Sequence, residues 1–255
     1  RRSHTRSVTP INQIIVAAAD VQIGEERGAR TRSGIGLRGV LRVGGQPQPG
    51  DRRELVFLVH GMGRTPLSMF LLGRRLEGTG YRVASFGYLS TTGTVADLGA
   101  ALGRKVQELA GEAPCVHFVG HSLGNIIVRW LLAHERPARA GRVVMLAPPN
   151  QGAAAADRWS RWVGWAMPVI HDLGTRAEAP ARTLPLPGDV DVGIIAGLRD
   201  AKVRVHETHL DGARDHTVVP GYHTFIMNRA DVHRLVRGFL RDGHFAPADA
   251  QPDAA

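Results

Sequence analysis

A serine between two glycines is the residue of this chain best suited to do chemistry. Ser122 is the centre of Gly120-His121-Ser122-Leu123-Gly124, which matches the pattern G-x-S-x-G. A β-prone run, residues 116–119, precedes the motif, and an apolar helical run, residues 126–132, follows it. A strand that turns directly into a helix strains the residue at the turn and leaves its side chain projecting. We predict a nucleophile at Ser122; the alternative is a chance match in a chain with 31 glycines.

A glycine-rich loop is the second candidate. His60-Gly61-Met62-Gly63 follows residues 55–59, a continuous apolar run typical of a strand buried on both faces. Glycines allow this loop to approach Ser122, so we predict that the amide N–H groups of Met62 and Leu123 donate to an oxygen that becomes negatively charged. The alternatives are an ordinary strand-to-helix turn and a phosphate loop, and no G-K-[ST] follows to favour the latter.

Strand-like and helical runs alternate around these loops. Runs typical of buried strands occur at residues 55–59, 81–86, 116–119, 142–147, 190–196 and 218–219. Amphipathic helical patterns separate several of them, most clearly at 94–110 and before residue 240. This alternation predicts an α/β fold with a mainly parallel central sheet flanked by helices. We assign residues 54–245 to this domain, 1–53 to a basic N-terminal extension with one strand near 37–43, and 246–255 to a flexible tail.

An insertion interrupts the alternation at about residues 153–188. Trp159, Trp162 and Trp165 recur at every third position, which places them on one side of a helix. We predict a short cap over the carboxyl edge of the sheet, with the three indoles binding substrate. The alternative is that they only pack the insertion.

Charge and composition exclude several classes of protein. The formal net charge is +9, but residues 1–53 carry ten Arg against four acidic residues and account for +6 of it. We predict no nucleic-acid partner, because this extension lacks the interleaved aromatic residues that stack on bases; weak contact with a membrane surface through the extension stays open. A single cysteine, Cys115, excludes an internal disulfide. No apolar run approaches the roughly 18 residues that span a bilayer, and the compartment is left open.

Five short motifs carry a resemblance to a known family. They are His60-Gly61-Met62-Gly63, Gly120-His121-Ser122-Leu123-Gly124, Pro148-Pro149-Asn150-Gln151-Gly152, Asp200-Ala201-Lys202-Val203 and His223-Thr224-Phe225-Ile226-Met227. On these motifs the chain resembles the α/β-hydrolase fold family, in particular its bacterial lipase and esterase branch. The resemblance spans about residues 54–245.

The resemblance implies a catalytic triad. In this family the chain order is serine, acid, histidine, with the acid in a loop after a late strand and the histidine between the last strand and the last helix. Ser122, Asp200 and His223 fit that order, although Ala201 stands where the family pattern Asp-Gly-x-Val has glycine. His206, His209 and His216 also follow the acid loop and compete with His223 for the role of base, and Asp215 is the alternative acid.

The implied activity is hydrolysis of a carboxylic ester or lipid through an acyl-enzyme intermediate. Neither a metal nor an organic cofactor is required by this chemistry. Two alternatives remain: transfer of the acyl group to an alcohol or action on a thioester, and an inactive binding module with the same fold.

Overall fold

The computed structural model describes residues 41–43, 50–91 and 93–245. Most of the predicted extension, residues 1–53, and the predicted tail, residues 246–255, lie outside the described residues. Within the described ranges, no helix is both long and apolar enough to cross a bilayer.

A seven-stranded sheet forms the centre of the molecule. Its strands are β1 (Leu41–Val43), β2 (Leu55–Val59), β3 (Arg82–Phe86), β4 (Val116–His121), β5 (Ala140–Leu146), β6 (Val192–Gly197) and β7 (Asp215–Val219). Their order across the sheet is β1-β3-β2-β4-β5-β6-β7. Strands β2 to β7 are parallel, and β1 pairs antiparallel with β3 at one edge. The mainly parallel sheet predicted from the sequence is therefore confirmed.

Helices cover both faces of the sheet. They are α1 (Phe70–Glu77), α2 (Val95–Ala110), α3 (Leu123–His134), α4 (Ala154–Val163), α5 (Pro180–Thr183) and α6 (Ala230–Asp242). Apolar residues of α2 and α3 share one core with one face of the sheet, and those of α1 and α6 share a second core with the other face.

Strand β2 shows why its sequence is a continuous apolar run. Leu55, Phe57 and Val59 belong to the core beneath α2 and α3, whereas Val56 and Leu58 belong to the core beneath α1 and α6. Successive side chains of a strand point to opposite faces, so a strand covered on both faces needs an apolar residue at every position.

The insertion after β5 contains α4, a 3-10 helix (Pro168–Leu173) and α5. The 3-10 helix packs against the core, and its Asp172 carboxylate accepts a hydrogen bond of 2.8 Å from the N–H of Val95, where α2 begins. By contrast, Trp159, Trp162 and Trp165 are 60%, 80% and 89% exposed. These indoles are therefore largely exposed and not buried in the insertion. Because α4 ends at Val163, Trp165 lies beyond it, and the expectation that the three share one side of a helix is wrong for Trp165.

Candidate active site

Ser122 occupies the turn between β4 and α3. Its backbone has φ 52° and ψ −121°, a region that a residue with a Cβ rarely adopts. Hydrogen bonds fix the turn from both sides: the Ser122 N–H donates to the carbonyl of Leu146 (3.0 Å), and the backbone N–H and Nδ2 of Asn125 donate to the Ser122 carbonyl (3.0 and 3.1 Å). The predicted strand–turn–helix context of Ser122 is thus present.

The glycines around Ser122 leave no space for a side chain. A Cβ on Gly120 would lie 2.3 Å from Asn125 Oδ1, and one on Gly124 would lie 2.2 Å from the carbonyl oxygen of Val59 on β2. A Cβ on Gly61 would lie 3.1 Å from that of Ser122. The glycine loop after β2 therefore closely approaches the serine, as predicted.

Ser122, His223 and Asp200 form one hydrogen-bonded chain. Nε2 of His223 lies 3.0 Å from Ser122 Oγ, and Nδ1 of His223 lies 2.7 Å from Asp200 Oδ2. Ser122 is 9% exposed and His223 8%, while the Asp200 side chain is fully buried. Residues that are distant in sequence thus meet where a proton can pass from the hydroxyl to the imidazole.

The loop after β6 fixes the carboxylate of Asp200. Its Oδ1 accepts the N–H groups of Lys202 and Val203, both at 2.8 Å, which leaves Oδ2 for His223. Ala201 does not have a positive φ. Alanine is therefore tolerated at the position where the family pattern has glycine.

Three of the competing residues, Asp215, His209 and His216, have other partners. Asp215 opens β7, at the opposite end of that strand from His223, and its Oδ2 accepts the N–H of Phe245 at 2.7 Å. His216 bonds Thr208 Oγ1 through Nε2 (2.8 Å) and stacks on His209. The structure therefore brings Asp200, and not Asp215, to His223.

His121 is a residue of the site whose role the sequence pattern does not predict. Its Nε2 donates to the backbone carbonyl of His223 at 2.9 Å. Burial, and then the adjacent His223, hold the pKa of His121 well below its ordinary value, so its ring is neutral. His121 thus helps to place His223, and its only sequence signal is that it precedes Ser122.

The loop that carries Met62 is held in place by hydrogen bonds. Gly63 donates its N–H to Ser90 Oγ (2.8 Å), and the Tyr88 hydroxyl donates to the carbonyl of His60 (2.5 Å). Among the described residues, neither the N–H of Met62 nor that of Leu123 donates to another backbone or side-chain group. Both amides are therefore without a partner in this part of the chain.

One group of side chains in the described ranges has metal-ligand types. The ligand atoms of Glu54, Cys115 and His117 lie within 4.8 Å of one another. His117 Nδ1, however, accepts the N–H of Arg142 at 2.9 Å. The neutral ring must then carry its proton on Nε2, which faces Glu54 at 3.3 Å, so neither nitrogen offers a free lone pair to a cation. These residues do not fit a metal.

Comparison with protein-family models finds no match for this chain, and neither does comparison with curated protein sequences. Solved structures do match. The mature form of the lipase BlEst2 from Bacillus licheniformis is 19% identical, with a TM-score of 0.59 over 74% of this chain and 92% of that chain. A proposed thioesterase from a Silicibacter species is 18% identical, with a TM-score of 0.61 over 87% of this chain and 85% of its own.

A third match is named as a different kind of enzyme. A bromoperoxidase from Bacillus anthracis is 16% identical, with a TM-score of 0.54 over 74% of this chain and 92% of that chain. Proteins this different in sequence share a fold without necessarily sharing a reaction. The three likenesses confirm the fold predicted from the sequence and leave the reaction to be argued from the site.

Proposed function

Because the chain has the α/β-hydrolase fold, we propose that it is a serine hydrolase that cleaves carboxylic esters through an acyl-enzyme intermediate. The observation that carries this proposal is the position of His223, 3.0 Å from Ser122 Oγ and 2.7 Å from Asp200 Oδ2. In this arrangement an imidazole can accept a hydroxyl proton while a carboxylate fixes its orientation.

The proposed reaction has two halves. Ser122 Oγ attacks the ester carbonyl carbon and gives its proton to His223 Nε2; the ester C–O bond then breaks, and His223 passes the proton to the departing alcohol. Water next attacks the acyl-enzyme while His223 takes one of its protons, and the acid leaves as that proton returns to Ser122. Asp200 stays ionised and stabilises the imidazolium.

The N–H groups of Met62 and Leu123 are proposed to hold the oxyanion formed in each half. Their support is the close approach of the Gly61 loop to Ser122 and the position of Leu123 as the first residue of α3. The loss of one such donor costs on the order of 3 kcal/mol of transition-state stabilisation. Because both donors are backbone groups, side-chain substitution does not remove them.

Trp159, Trp162 and Trp165 are proposed to contact the acyl part of the substrate. Their high exposure favours an open surface and not a closed pocket wall, since large apolar side chains gathered at a surface mark a binding site. This favours esters with a long apolar chain or lipids. No metal or organic cofactor takes part in the proposed steps.

Labelling of the serine tests the proposal. An organophosphonate probe should modify Ser122 and no other residue, and Ser122→Ala should lose both labelling and hydrolysis of p-nitrophenyl esters. Ser68→Ala is the matched control, because Ser68 Oγ donates only to the nearby carbonyl of Thr65, in a 3-10 helix (Pro66–Met69) that precedes α1. Hydrolysis that persists in a folded Ser122→Ala protein would contradict the mechanism.

Acyl transfer is the alternative outcome for the same site. If an alcohol or thiol outcompetes water for the acyl-enzyme, product analysis with added alcohols will show the new ester as the main product. If free acid dominates at all alcohol concentrations, hydrolysis is the reaction.

A further inference from the structure

A cavity of about 410 Å³ lies between the end of α1 and the first half of α6. None of the residues proposed for ester cleavage lines it. Its walls are Arg75, Leu76, Gly78, Thr79, Ala230, His233, Arg234 and Arg237. The cavity is therefore rich in cationic side chains and contains no acidic one.

The three arginines are not neutralised by acidic neighbours. In the described part of the chain, Arg75, Arg234 and Arg237 take part in no ion pair or side-chain hydrogen bond. The two nearest acidic residues in sequence have their own partners: Glu77 bonds Arg74 at 3.0 Å, and Asp231 bonds Arg229 at 2.6 Å. Three guanidinium groups thus border one cavity without a matching negative charge.

His233 also lines the cavity, but as a buried ring that its lowered pKa keeps uncharged. It is 6% exposed and donates from Nε2 to the carbonyl of Met227 (2.6 Å), while its Nδ1 has no partner among the described residues. Burial, with a contribution from nearby Arg75, lowers the pKa of His233. An anion bound in the cavity would offset the repulsion between Arg75 and a protonated His233.

The helix ends at the cavity contribute little net charge. Ala230 is the first residue of α6, where the helix dipole is positive, but the Asp231 carboxylate already accepts the N–H of Val232 there at 2.8 Å. The opposite wall is the end of α1, but its carbonyls at Arg74 and Leu76 already accept the N–H groups of Gly78 and Thr79. The negative end of that helix is therefore partly neutralised by its own chain.

We propose that this cavity is a binding site for a phosphate group, as the free ion or as a phosphomonoester. The guanidinium groups of Arg75, Arg234 and Arg237 would donate to the phosphate oxygens, because arginine matches the geometry of tetrahedral oxyanions in paired hydrogen bonds. The site goes beyond ester cleavage and does not depend on Ser122.

Calorimetric titration of the full chain with inorganic phosphate, at constant ionic strength, tests the site. Arg234→Gln/Arg237→Gln should weaken binding about ten-fold or more. Arg158→Gln/Arg161→Gln is the matched control: it also removes two exposed arginines three positions apart on a helix, α4, and should bind like the original chain. Equal loss in both double variants, or no binding by the original chain, would overturn the proposal.

Two further ligands identify the source of the phosphate. Glycerol phosphate represents a soluble phosphomonoester, and vesicles with phosphatidic acid represent a lipid headgroup; vesicles of phosphatidylcholine alone are the blank. The cavity variant should lose whichever ligand binds, while circular dichroism shows that it is folded. Unchanged binding of every ligand by the folded cavity variant would place the phosphate elsewhere.

Discussion

At the carboxyl edge of the sheet Ser122 and His223 are less than a tenth exposed, whereas in the insertion Trp162 and Trp165 are 80% and 89% exposed. The first two side chains are fixed by hydrogen bonds from three separate segments of chain. The two indoles extend into solvent from the last turn of α4 and from the segment that follows it. The first region resembles a prearranged reaction centre, and the second resembles a contact surface that is completed by whatever binds it.

This difference implies that substitutions in the two regions act on different quantities. A change at the edge of the sheet should alter catalysis or folding by several kcal/mol, because each group there has a buried partner. A change at an exposed indole should leave the free energy of unfolding nearly unaltered and act only on substrate binding.

Asp200→Asn should produce the largest effect. In this variant an NH₂ group replaces Oδ2 and cannot accept the Nδ1–H of His223. The kcat for a p-nitrophenyl ester should therefore fall about 10⁴-fold. Asp215→Asn is the matched control and should change kcat less than about three-fold, since its carboxylate bonds only Phe245 at the other end of β7. If the control loses more activity than Asp200→Asn, the assignment of the acid is wrong.

Gly124→Ala should follow, with a loss of about 3 kcal/mol or more in the free energy of unfolding. The new Cβ would lie 2.2 Å from a backbone oxygen of β2, which cannot move without disturbing the sheet. Gly238→Ala on α6 has nothing within 4 Å of its Cβ and should instead stabilise the protein by about 0.5–1 kcal/mol. Urea denaturation measures both, and similar losses in both variants would refute the steric explanation.

The pH dependence of stability should show a smaller effect from His60. Burial lowers its pKa to about 4, from 6.5 in the unfolded chain. Between pH 6.5 and 4 the unfolded state therefore binds more protons, so the free energy of unfolding decreases as the pH falls, by up to about 3 kcal/mol from this group. In His60→Phe, which preserves stacking on Tyr88, the decrease measured by denaturation should be smaller by that amount. An identical decrease would exclude His60 as its source.

Trp162→Ala should have the smallest effect on stability, within about 0.5 kcal/mol of the free energy of unfolding. Its effect should be on KM, raised about ten-fold for a long-chain p-nitrophenyl ester and unaltered for the acetate. Leu71→Ala, at a 54% exposed leucine of α1, is the control for loss of a surface apolar group. A KM increase that is equal for both esters would argue against contact with the acyl chain.

Several features of the fold could be predicted because they depend on neighbouring residues. Thr94 caps α2 by accepting the N–H of Asp97 (3.3 Å), while the Asp97 carboxylate accepts the N–H of Thr94 (2.8 Å), and the helix predicted at 94–110 is found at Val95–Ala110. The glycines around Ser122 likewise indicated a tight turn.

Features that depend on contacts between distant segments were less accessible. From the sequence alone either Asp200 or Asp215 could be the acid, and only the paths of β6 and β7 distinguish them. The role of His121 could not be predicted, because its sequence position does not show that its ring reaches the carbonyl of His223. Periodicity predicted one helix for the three tryptophans, whereas α4 ends at Val163, before Trp165. Periodicity also does not indicate whether the indoles face protein or solvent.

The sequence by itself determined the turn at Ser122, the doubly buried strands and the parallel sheet, because backbone strain and side-chain period act within a few residues. The tertiary structure alone decided that Asp200 and His223 meet Ser122, and that the tryptophans of the insertion face water. Hydrogen-bond distances and burial are set by how remote segments pack, and local preference leaves that packing open.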